Sequence, residues 1–274
     1  MLPTQRRQAI LAEVRQANVV SAEELAQRYG VSLETIRRDL RGLRDQGLLE
    51  RVYGGALAIR STEGTFAARS TLHSDSKQAI GELAASLVEP RDTIVIDIGT
   101  TALEVAKALP ATFRGRVLTN SVPAAMALAG KEDIELLLSG GHVRRGDAAC
   151  FGAHAEAFFN EFYADKAFLG SGGVQARAGL TDYYPLEVTT RRTIIAHSAT
   201  SYVLADWSKL GAIAVHRVCP LNQVTAIITD QQASASAVKA IETTGCAVMR
   251  SPDKCREVMH RGPDHGGRRH RPAR

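Results

Sequence analysis

The stretch Ser32-Leu33-Glu34-Thr35-Ile36-Arg37-Arg38-Asp39-Leu40 decides how the N-terminal part of this chain folds. Ser32 belongs to the residue types that cap the first amides of a helix, so the pattern predicts a helix from there to about Gln46. Three apolar residues recur at helical spacing and predict a buried face: Ile36, Leu40 and Leu43. The residues turned toward solvent or a partner are then Thr35, Arg37, Arg38 and Arg41.

The neighbouring segments complete a recognisable arrangement. An amphipathic helix is predicted from Gln5 to Ala17, and a second helix from the capping box at Ser21 to Tyr29. Gly30 is placed to end the second helix in a left-handed conformation. The stretch 48–59 then predicts two short strands around a glycine turn. The order helix, three-residue turn, helix and β-hairpin predicts a winged helix-turn-helix.

Charge is distributed unevenly along the 274 residues, whose net charge is +5. Residues 1–60 contain ten arginines against seven acidic residues, and the last 24 residues contain seven basic against three acidic ones. The stretch between them is faintly acidic. A polyanionic partner is therefore expected for the N-terminal unit and not for the body of the chain.

Exposed arginines beside short polar residues fit the major groove of DNA, where guanidinium groups pair with guanine edges or with phosphates. The alternative is that these arginines only solvate a surface helix. The capped helices, the glycine turn and the wing occur in the right order, which favours DNA binding. The candidate DNA-binding residues are Ser32, Thr35, Arg37, Arg38, Arg41, Arg51 and Tyr53.

The rest of the chain predicts a different architecture. Residues 1–59 form the predicted DNA-binding domain, 60–75 a linker, 76–250 an α/β domain and 251–274 a basic tail too polar to order itself. Apolar runs separated mostly by helical stretches predict a largely parallel sheet. These runs are Thr93–Asp97, Val117–Asn120, Ile134–Ser139, Lys166–Leu169, Tyr202–Asp206 and Val224–Thr229.

Polar clusters follow the ends of several predicted strands. Ligands of open parallel sheets bind at that edge, and Gly99-Thr100-Thr101 at a helix start offers amides and hydroxyls to a phosphate. Lys209 is expected to neutralise the phosphate, with Asp97 or Asp206 accepting hydrogen bonds from sugar hydroxyls. Helix caps, chain turns and a solvated lysine are the alternative explanations. The candidate effector-binding residues are Asp97, Gly99, Thr100, Thr101, Thr119, Asn120, Gly140, Gly141, Gly172, Gly173, Asp206 and Lys209.

These motifs resemble the DeoR family of bacterial repressors. The resemblance rests on Ser32–Leu40, on Arg51–Ala56 with Tyr53 where that family often has His, on Asp97–Thr101 and on Ala205–Lys209. It implies that Ser32, Thr35, Arg37 and Arg38 lie at the DNA, whereas Asp39 orients nearby arginines. It further implies a sensor domain similar to ribose-phosphate isomerases and coenzyme A transferases.

The resemblance also implies the partners and the activity. We expect a repressor of a carbohydrate or related catabolic operon that binds a double-stranded operator as a homodimer or homotetramer. A phosphorylated sugar, polyol or related metabolite is expected as its effector, with no cofactor.

An isomerase-like enzyme fused to a DNA-binding domain is the competing hypothesis. Sugar isomerisation needs a carboxylate base beside the carbonyl carbon. The acidic cluster of ribose-phosphate isomerases is missing, and Leu169–Gln175 contains no carboxylate. We therefore expect sensing rather than catalysis. An architectural protein without a ligand would leave the polar strand ends unexplained.

Composition narrows the remaining classes. The four cysteines form no C-x-x-C pair and the histidines of the body lack close metal-ligand spacing, so neither a disulfide framework nor a metal site is predicted. No run of about 18 apolar residues occurs, and the N-terminus lacks the apolar core of a signal peptide. A cytoplasmic protein with no membrane partner is expected.

Overall fold

The computed structural model describes residues 2–17, 19–46, 48–52, 54–60, 63–144 and 146–252. Three helices and a three-stranded sheet form the N-terminal domain. They are α1 (Pro3–Ala17), β1 (Val19–Ser21), α2 (Ala22–Tyr29), α3 (Leu33–Asp45), β2 (Leu49–Val52) and β3 (Gly55–Arg60). Both β1 and β2 pair with β3 in antiparallel register.

Local chemistry sets the boundaries of these helices. The Ser21 Oγ accepts hydrogen bonds from the amides of Glu23 and Glu24, and Gly30 ends α2 with φ 63° and ψ 37°. One apolar cluster then joins the helices to the sheet. Its fully buried large members are Ile10, Leu25, Ile36, Leu40 and Leu49. The predicted winged helix-turn-helix is confirmed.

The larger domain is built on a seven-stranded sheet in the order β16-β15-β12-β9-β4-β5-β6, with every neighbouring pair parallel. The strands are β4 (Thr93–Ile96), β5 (Arg116–Thr119), β6 (Glu135–Leu138), β9 (Ala164–Leu169), β12 (Ser198–Leu204), β15 (Ala226–Thr229) and β16 (Ala247–Arg250). The predicted α/β class with a largely parallel sheet is confirmed. The direction of strand order reverses between β4 and β9, and such a switch point opens a crevice at the carboxyl ends of the strands.

Helices cover both faces of this sheet. They are α4 (Phe66–Thr71), α5 (Ser74–Ser86), α6 (Thr100–Ala108), α7 (Val122–Leu128), α8 (Ala153–Asn160), α9 (Pro185–Ala196) and α10 (Ala235–Glu242). Alternate residues of each strand face opposite sides. Ile94 and Ile96 therefore join a core with α5 and α6, whereas Val95 joins a second core with α8 and α9.

Short strands complete the domain. They are the hairpin β7 (His142–Arg144) and β8 (Ala149–Phe151), the strands β10 (Gly173–Gln175), β11 (Gly179–Asp182) and β14 (His216–Cys219), and β13 (Ile213–Ala214). β13 pairs in parallel with β3, so a strand of the larger domain extends the sheet of the wing.

The segment 60–75, predicted as a linker, contains α4 and the start of α5. Most of the predicted tail, residues 253–274, lies outside the described residues. Within the described part of the chain, no helix combines the length and apolar character needed to cross a membrane.

Candidate functional site

The exposed face of α3 carries the predicted DNA-reading residues. Arg37, Arg38 and Arg41 are all exposed, while Ile36 and Leu40 on the opposite face are buried. Ser32 caps the helix: its Oγ accepts from the Thr35 amide at 3.2 Å and lies 2.8 Å from the Thr35 Oγ1. The helix therefore presents two hydroxyls and three guanidinium groups.

Asp39 lies on the inner side of α3. Its Oδ2 is 2.7 Å from Arg6 Nε and its Oδ1 is 2.8 Å from Arg7 Nε, so one buried carboxylate joins α3 to α1. Asp39 thus pairs with arginines, but with those of α1 and not with its neighbours Arg37 and Arg38 on α3. Arg51 lies in β2, and Tyr53 lies outside the described residues.

A cavity of about 190 Å³ opens at the carboxyl ends of β4 and β9, at the switch point of the sheet. Three loops that follow strands line it: 98–101 after β4, 170–171 after β9 and 206–209 after β12. The segment 63–77 covers one side, and residues from the β7–β8 turn, β11 and α9 cover another.

The first turn of α6 forms one wall. Gly99 caps the helix at φ 118°, a backbone conformation that favours glycine, and Thr100 and Thr101 follow it into the cavity wall. Amides at a helix start lack acceptors within the helix, and the helix dipole is positive there. This wall therefore suits an anion.

Two lysines stand in the cavity wall. The buried Lys77 donates from Nζ to the carbonyls of Leu72, at 2.7 Å, and Arg69. Lys209 donates to the Gly172 carbonyl at 3.4 Å. Burial lowers the pKa of both lysines, and the carboxylate of Asp206 opposes that shift. Among the described residues, both ammonium groups thus have backbone carbonyls and not carboxylates as hydrogen-bond partners.

The arginines of the cavity, by contrast, are bound to carboxylates. Arg191 is buried, and its Nε lies 2.6 Å from Asp97 Oδ2. Its Nη1 forms ion pairs with both Asp182 and Glu187. Burial, the largest cause, and the neighbouring Asp182 raise the pKa of Glu187 to about 8, although Arg191 and Arg144 oppose the shift.

Arg69 joins the segment 63–77 to the β7–β8 turn. Its NH1 lies 3.0 Å from Glu63 Oε1 and its NH2 lies 3.4 Å from Asp147 Oδ2. Burial raises the pKa of Glu63, opposed by the charges of Arg69 and Lys209. Asp147 is held in turn by Arg144, whose Nε is 3.1 Å from its Oδ1.

Five of the predicted effector-binding residues line this cavity together: Gly99, Thr100, Thr101, Asp206 and Lys209. Asp97 lies behind it, where its Oδ2 also accepts from the Gly170 amide at 3.0 Å. Gly172 supplies the carbonyl bonded to Lys209, and a Cβ there would come within 2.9 Å of Asp182 Cα.

The other predicted residues lie away from the cavity lining. Thr119 donates to the Ile96 carbonyl at 2.6 Å, and the buried Asn120 lies 3.5 Å from the Cys150 carbonyl through its Nδ2. Gly140 and Gly141 follow β6 at the sheet edge, and Gly173 lies in β10 against Ala212.

The predicted effector-binding set lacks several residues of the cavity lining, which are Glu63, Arg69, His73, Lys77, Asp147, Asp182, Tyr183, Glu187, Arg191 and Ser208. A signal existed for two of them. Lys77 precedes Ile80 at helical spacing, and Arg191 follows Val188 in the same way, so each is a charged residue on an apolar helix face. A charge on such a face is expected to have a buried partner or a ligand.

Comparisons with known proteins bear on both parts of the chain. The model of the DeoR-like helix-turn-helix domain matches residues 6–62, and that of the DeoR C terminal sensor domain matches residues 72–231. This chain belongs to the DeoR family. It is a DeoR-type transcriptional regulator, as the resemblance implied.

Curated relatives of this DeoR-family chain extend over nearly its whole length. It is 34% identical to the glycerol-3-phosphate regulon repressor of Escherichia coli (strain K12), over 88% of this chain and 96% of that protein. It is also 34% identical to the HTH-type transcriptional regulator GlpR of Haloferax volcanii, over 91% of this chain and 98% of the relative. A solved ribose 5-phosphate isomerase A from Methanocaldococcus jannaschii aligns with a TM-score of 0.37 and 21% identity, over 52% and 55% of the two chains.

Proposed function

We propose that this DeoR-family regulator represses a carbohydrate or polyol operon and that a phosphorylated sugar or polyol in the cavity releases it from DNA. The observation that carries the proposal is a helix N-terminus in the same cavity wall as two lysines that, among the described residues, hydrogen-bond to backbone carbonyls and to no carboxylate. Gly99, Thr100 and Thr101 donate to the phosphate, and Lys77 and Lys209 offset its charge.

The size and charge of the cavity favour a small ligand with both phosphate and hydroxyl groups. A volume of 190 Å³ lies below the range of about 300–1,000 Å³ that suits drug-sized ligands. The lining contains five carboxyl groups beside four Lys and Arg side chains, so a ligand with several negative charges would be repelled. Carboxylates such as Asp206 instead accept hydrogen bonds from hydroxyls.

The carboxyl groups of the cavity also argue for sensing over turnover. A catalytic base needs a carboxylate free to accept a proton from the substrate. Asp182 and Glu187 are bonded to Arg191, Asp147 to Arg144, and Asp206 Oδ1 accepts from Ser208 Oγ at 2.5 Å. Carboxylate oxygens that already accept from these arginines and from Ser208 are not free to take a proton from a substrate.

The DNA-binding part of the proposal rests on α3 and the wing. In this arrangement α3 enters the major groove with Arg37, Arg38 and Arg41 toward the DNA, joined by Ser32, Thr35, Arg51 and Tyr53. One helix-turn-helix unit binds weakly alone, so we infer a homodimer or homotetramer on paired half-sites. Such a regulator acts where the chromosome is, in the cytoplasm.

Thermal unfolding of the full chain in the presence of phosphorylated three- to six-carbon sugars and polyols tests the effector site. A true effector at 100 times its Kd should stabilise the protein by about 2.7 kcal/mol, and its unphosphorylated form should not. Thr101→Val and Lys209→Ala should abolish the stabilisation. Lys107→Ala is the control, because Lys107 lies at the other end of α6 and pairs with Glu104.

In a mobility-shift assay, the same compound should dissociate the protein from a DNA fragment taken from upstream of the gene that encodes it. Stabilisation that survives both cavity substitutions would place the effector site elsewhere. A compound that binds in the cavity but leaves DNA affinity unchanged would contradict the inducer role. Turnover of ribose 5-phosphate by the wild-type chain, lost in Asp206→Asn, would favour the alternative of an isomerase.

A further inference from the structure

The cavity is joined to the wing of the DNA-binding domain through the chain itself. Strand β3 of the wing ends at Arg60, three positions before Glu63. Its parallel partner β13 begins at Ile213, four positions after Lys209. Glu63 and Lys209 both line the cavity. Each strand of the pair that joins the two domains therefore leads, within a few residues, to a charged group of the cavity.

Glu63 is an acidic group that the protein itself places in the cavity. Its side chain is only 11% exposed, and its Oε1 lies 3.0 Å from Arg69 NH1. Of the charged neighbours of Lys209, Glu63 does most to raise the pKa of its ammonium group. A ligand phosphate attracted by Arg69 and Lys209 must therefore compete with this carboxylate for the same positive charges.

The two strands differ in how firmly they are held to the sensor domain. The Ala214 amide of β13 donates to Thr181 Oγ1 at 2.9 Å, and Thr181 adjoins the Asp182 that is bonded to Arg191. β13 is therefore tied to the buried ion cluster beside the cavity. β3 belongs to the DNA-binding domain, so a movement of that domain would carry β3, and not β13, away from the cavity.

We propose that Glu63 is a tethered competitor of the effector: its carboxylate holds β3 beside β13 when the cavity is empty, and a bound phosphate displaces it and loosens that pair. The inference rests on the proposed function, because it assumes an anionic effector. An effector shifts an equilibrium only if it binds one arrangement better than the other. Competition supplies this difference in affinity between the two arrangements, since Arg69 and Lys209 are available to a phosphate only after Glu63 has moved.

Hydrogen exchange on the ligand-free full chain tests whether Glu63 holds the strand pair. Glu63→Gln should speed exchange in peptides covering 57–60 and 212–215. The expected change is about fivefold or more, because fivefold is the lower end of the usual range for coupling between two sites. Glu135→Gln is the control, because it makes the same substitution in an exposed ion pair with Arg116, outside the cavity lining. It should leave these peptides like the wild type. Unchanged exchange in Glu63→Gln would overturn the proposal.

The displacement of Glu63 is tested by repeating the hydrogen-exchange measurement with inorganic phosphate added to the full chain. Chloride at equal ionic strength is the control. Phosphate should speed exchange in the same peptides of the wild type and add nothing in Glu63→Gln, which should bind phosphate more tightly. Phosphate that binds in the cavity and leaves the wild-type peptides unchanged would overturn the proposal while the proposed effector site stands. If no phosphate binds, the proposed function fails, and the ligand-free comparison alone decides the role of Glu63.

Discussion

Arginine has opposite roles at different positions in this chain. Arg6 and Arg191 are buried and bonded to carboxylates, where a guanidinium joins helices to neighbouring elements. Arg37 and Arg38 are exposed on α3, beside a carboxylate, Asp39, that is already bonded to α1. Because Asp39 faces inward, it does not offset the positive charge of the outer face.

Substitution of Arg37 or Arg38 should separate DNA binding from stability. Arg37→Ala and Arg38→Ala should each weaken operator binding, by about 1–3 kcal/mol where the arginine contacts a base and with a shallower salt dependence where it contacts phosphate. The melting temperature should stay the same, because the face with Ile36 and Leu40 is untouched. Arg44→Ala is the control, since Arg44 pairs with Asp45 at the end of α3. Fluorescence anisotropy over a salt series makes the measurement, and unchanged affinity in both variants would remove α3 from the interface.

At the scale of elements, α5 and α6 approach so closely that only glycine fits between them. A Cβ on Gly81 of α5 would come within 2.6 Å of the backbone carbonyl carbon of Glu104. Gly42 of α3 is different, because a Cβ there would meet only the flexible end of Arg7, at 3.5 Å. The same substitution should therefore have opposite effects in the two helices.

Gly81→Ala should lower the free energy of unfolding by about 1–3 kcal/mol, because overpacking outweighs the better helix propensity of alanine. Gly42→Ala should be neutral or should stabilise by up to about 1 kcal/mol. Urea denaturation followed by circular dichroism measures both changes. A Gly81→Ala variant as stable as the wild type would mean that α5 and α6 can move apart without cost.

Elements differ in how far the sequence predicts them. Helices α2 and α3 and six strands of the large sheet are predicted by the sequence to within a few residues, because caps and apolar runs are local signals. The sequence does not predict β10, β11 and β14, since their segments GVQ, GLTD and HRVC mix glycine and polar residues with isolated apolar ones and contain no apolar run. The cavity was predicted only on the side formed by strand ends. Its other side comes from the segment 63–77 and from α9, which the sequence places far from β4 and which only the tertiary fold brings there.

At the scale of the whole molecule, one buried ion cluster connects parts that the chain order keeps apart. Asp97 follows β4, Asp182 ends β11, Arg144 ends β7, and Arg191 with Glu187 lies on α9. The large sheet and the three-stranded sheet of β10, β11 and β14 thus meet at Arg191, and the β7–β8 hairpin joins them through the ion pair of Arg144 with Glu187. Because Glu187 is buried beside Asp182, its charged form is disfavoured there.

The stability of the sensor domain should therefore depend on the protonation of Glu187. Its pKa is raised to about 8 in the folded protein, from an ordinary value of 4.5. Between these pH values the folded protein therefore holds a proton on Glu187 that the unfolded chain has lost. The stabilisation is complete below pH 4.5 and is lost as the pH rises through about 8. Glu187→Gln stays neutral throughout, so the melting temperature of the wild type minus that of the variant should fall by at least about 2 °C between pH 5 and pH 8.5. Calorimetry at both pH values measures this difference, in which the titration of groups far from Glu187 cancels. A difference that grows with pH would mean instead that Glu187 is ionised and that its pairs with Arg191 and Arg144 outweigh its burial.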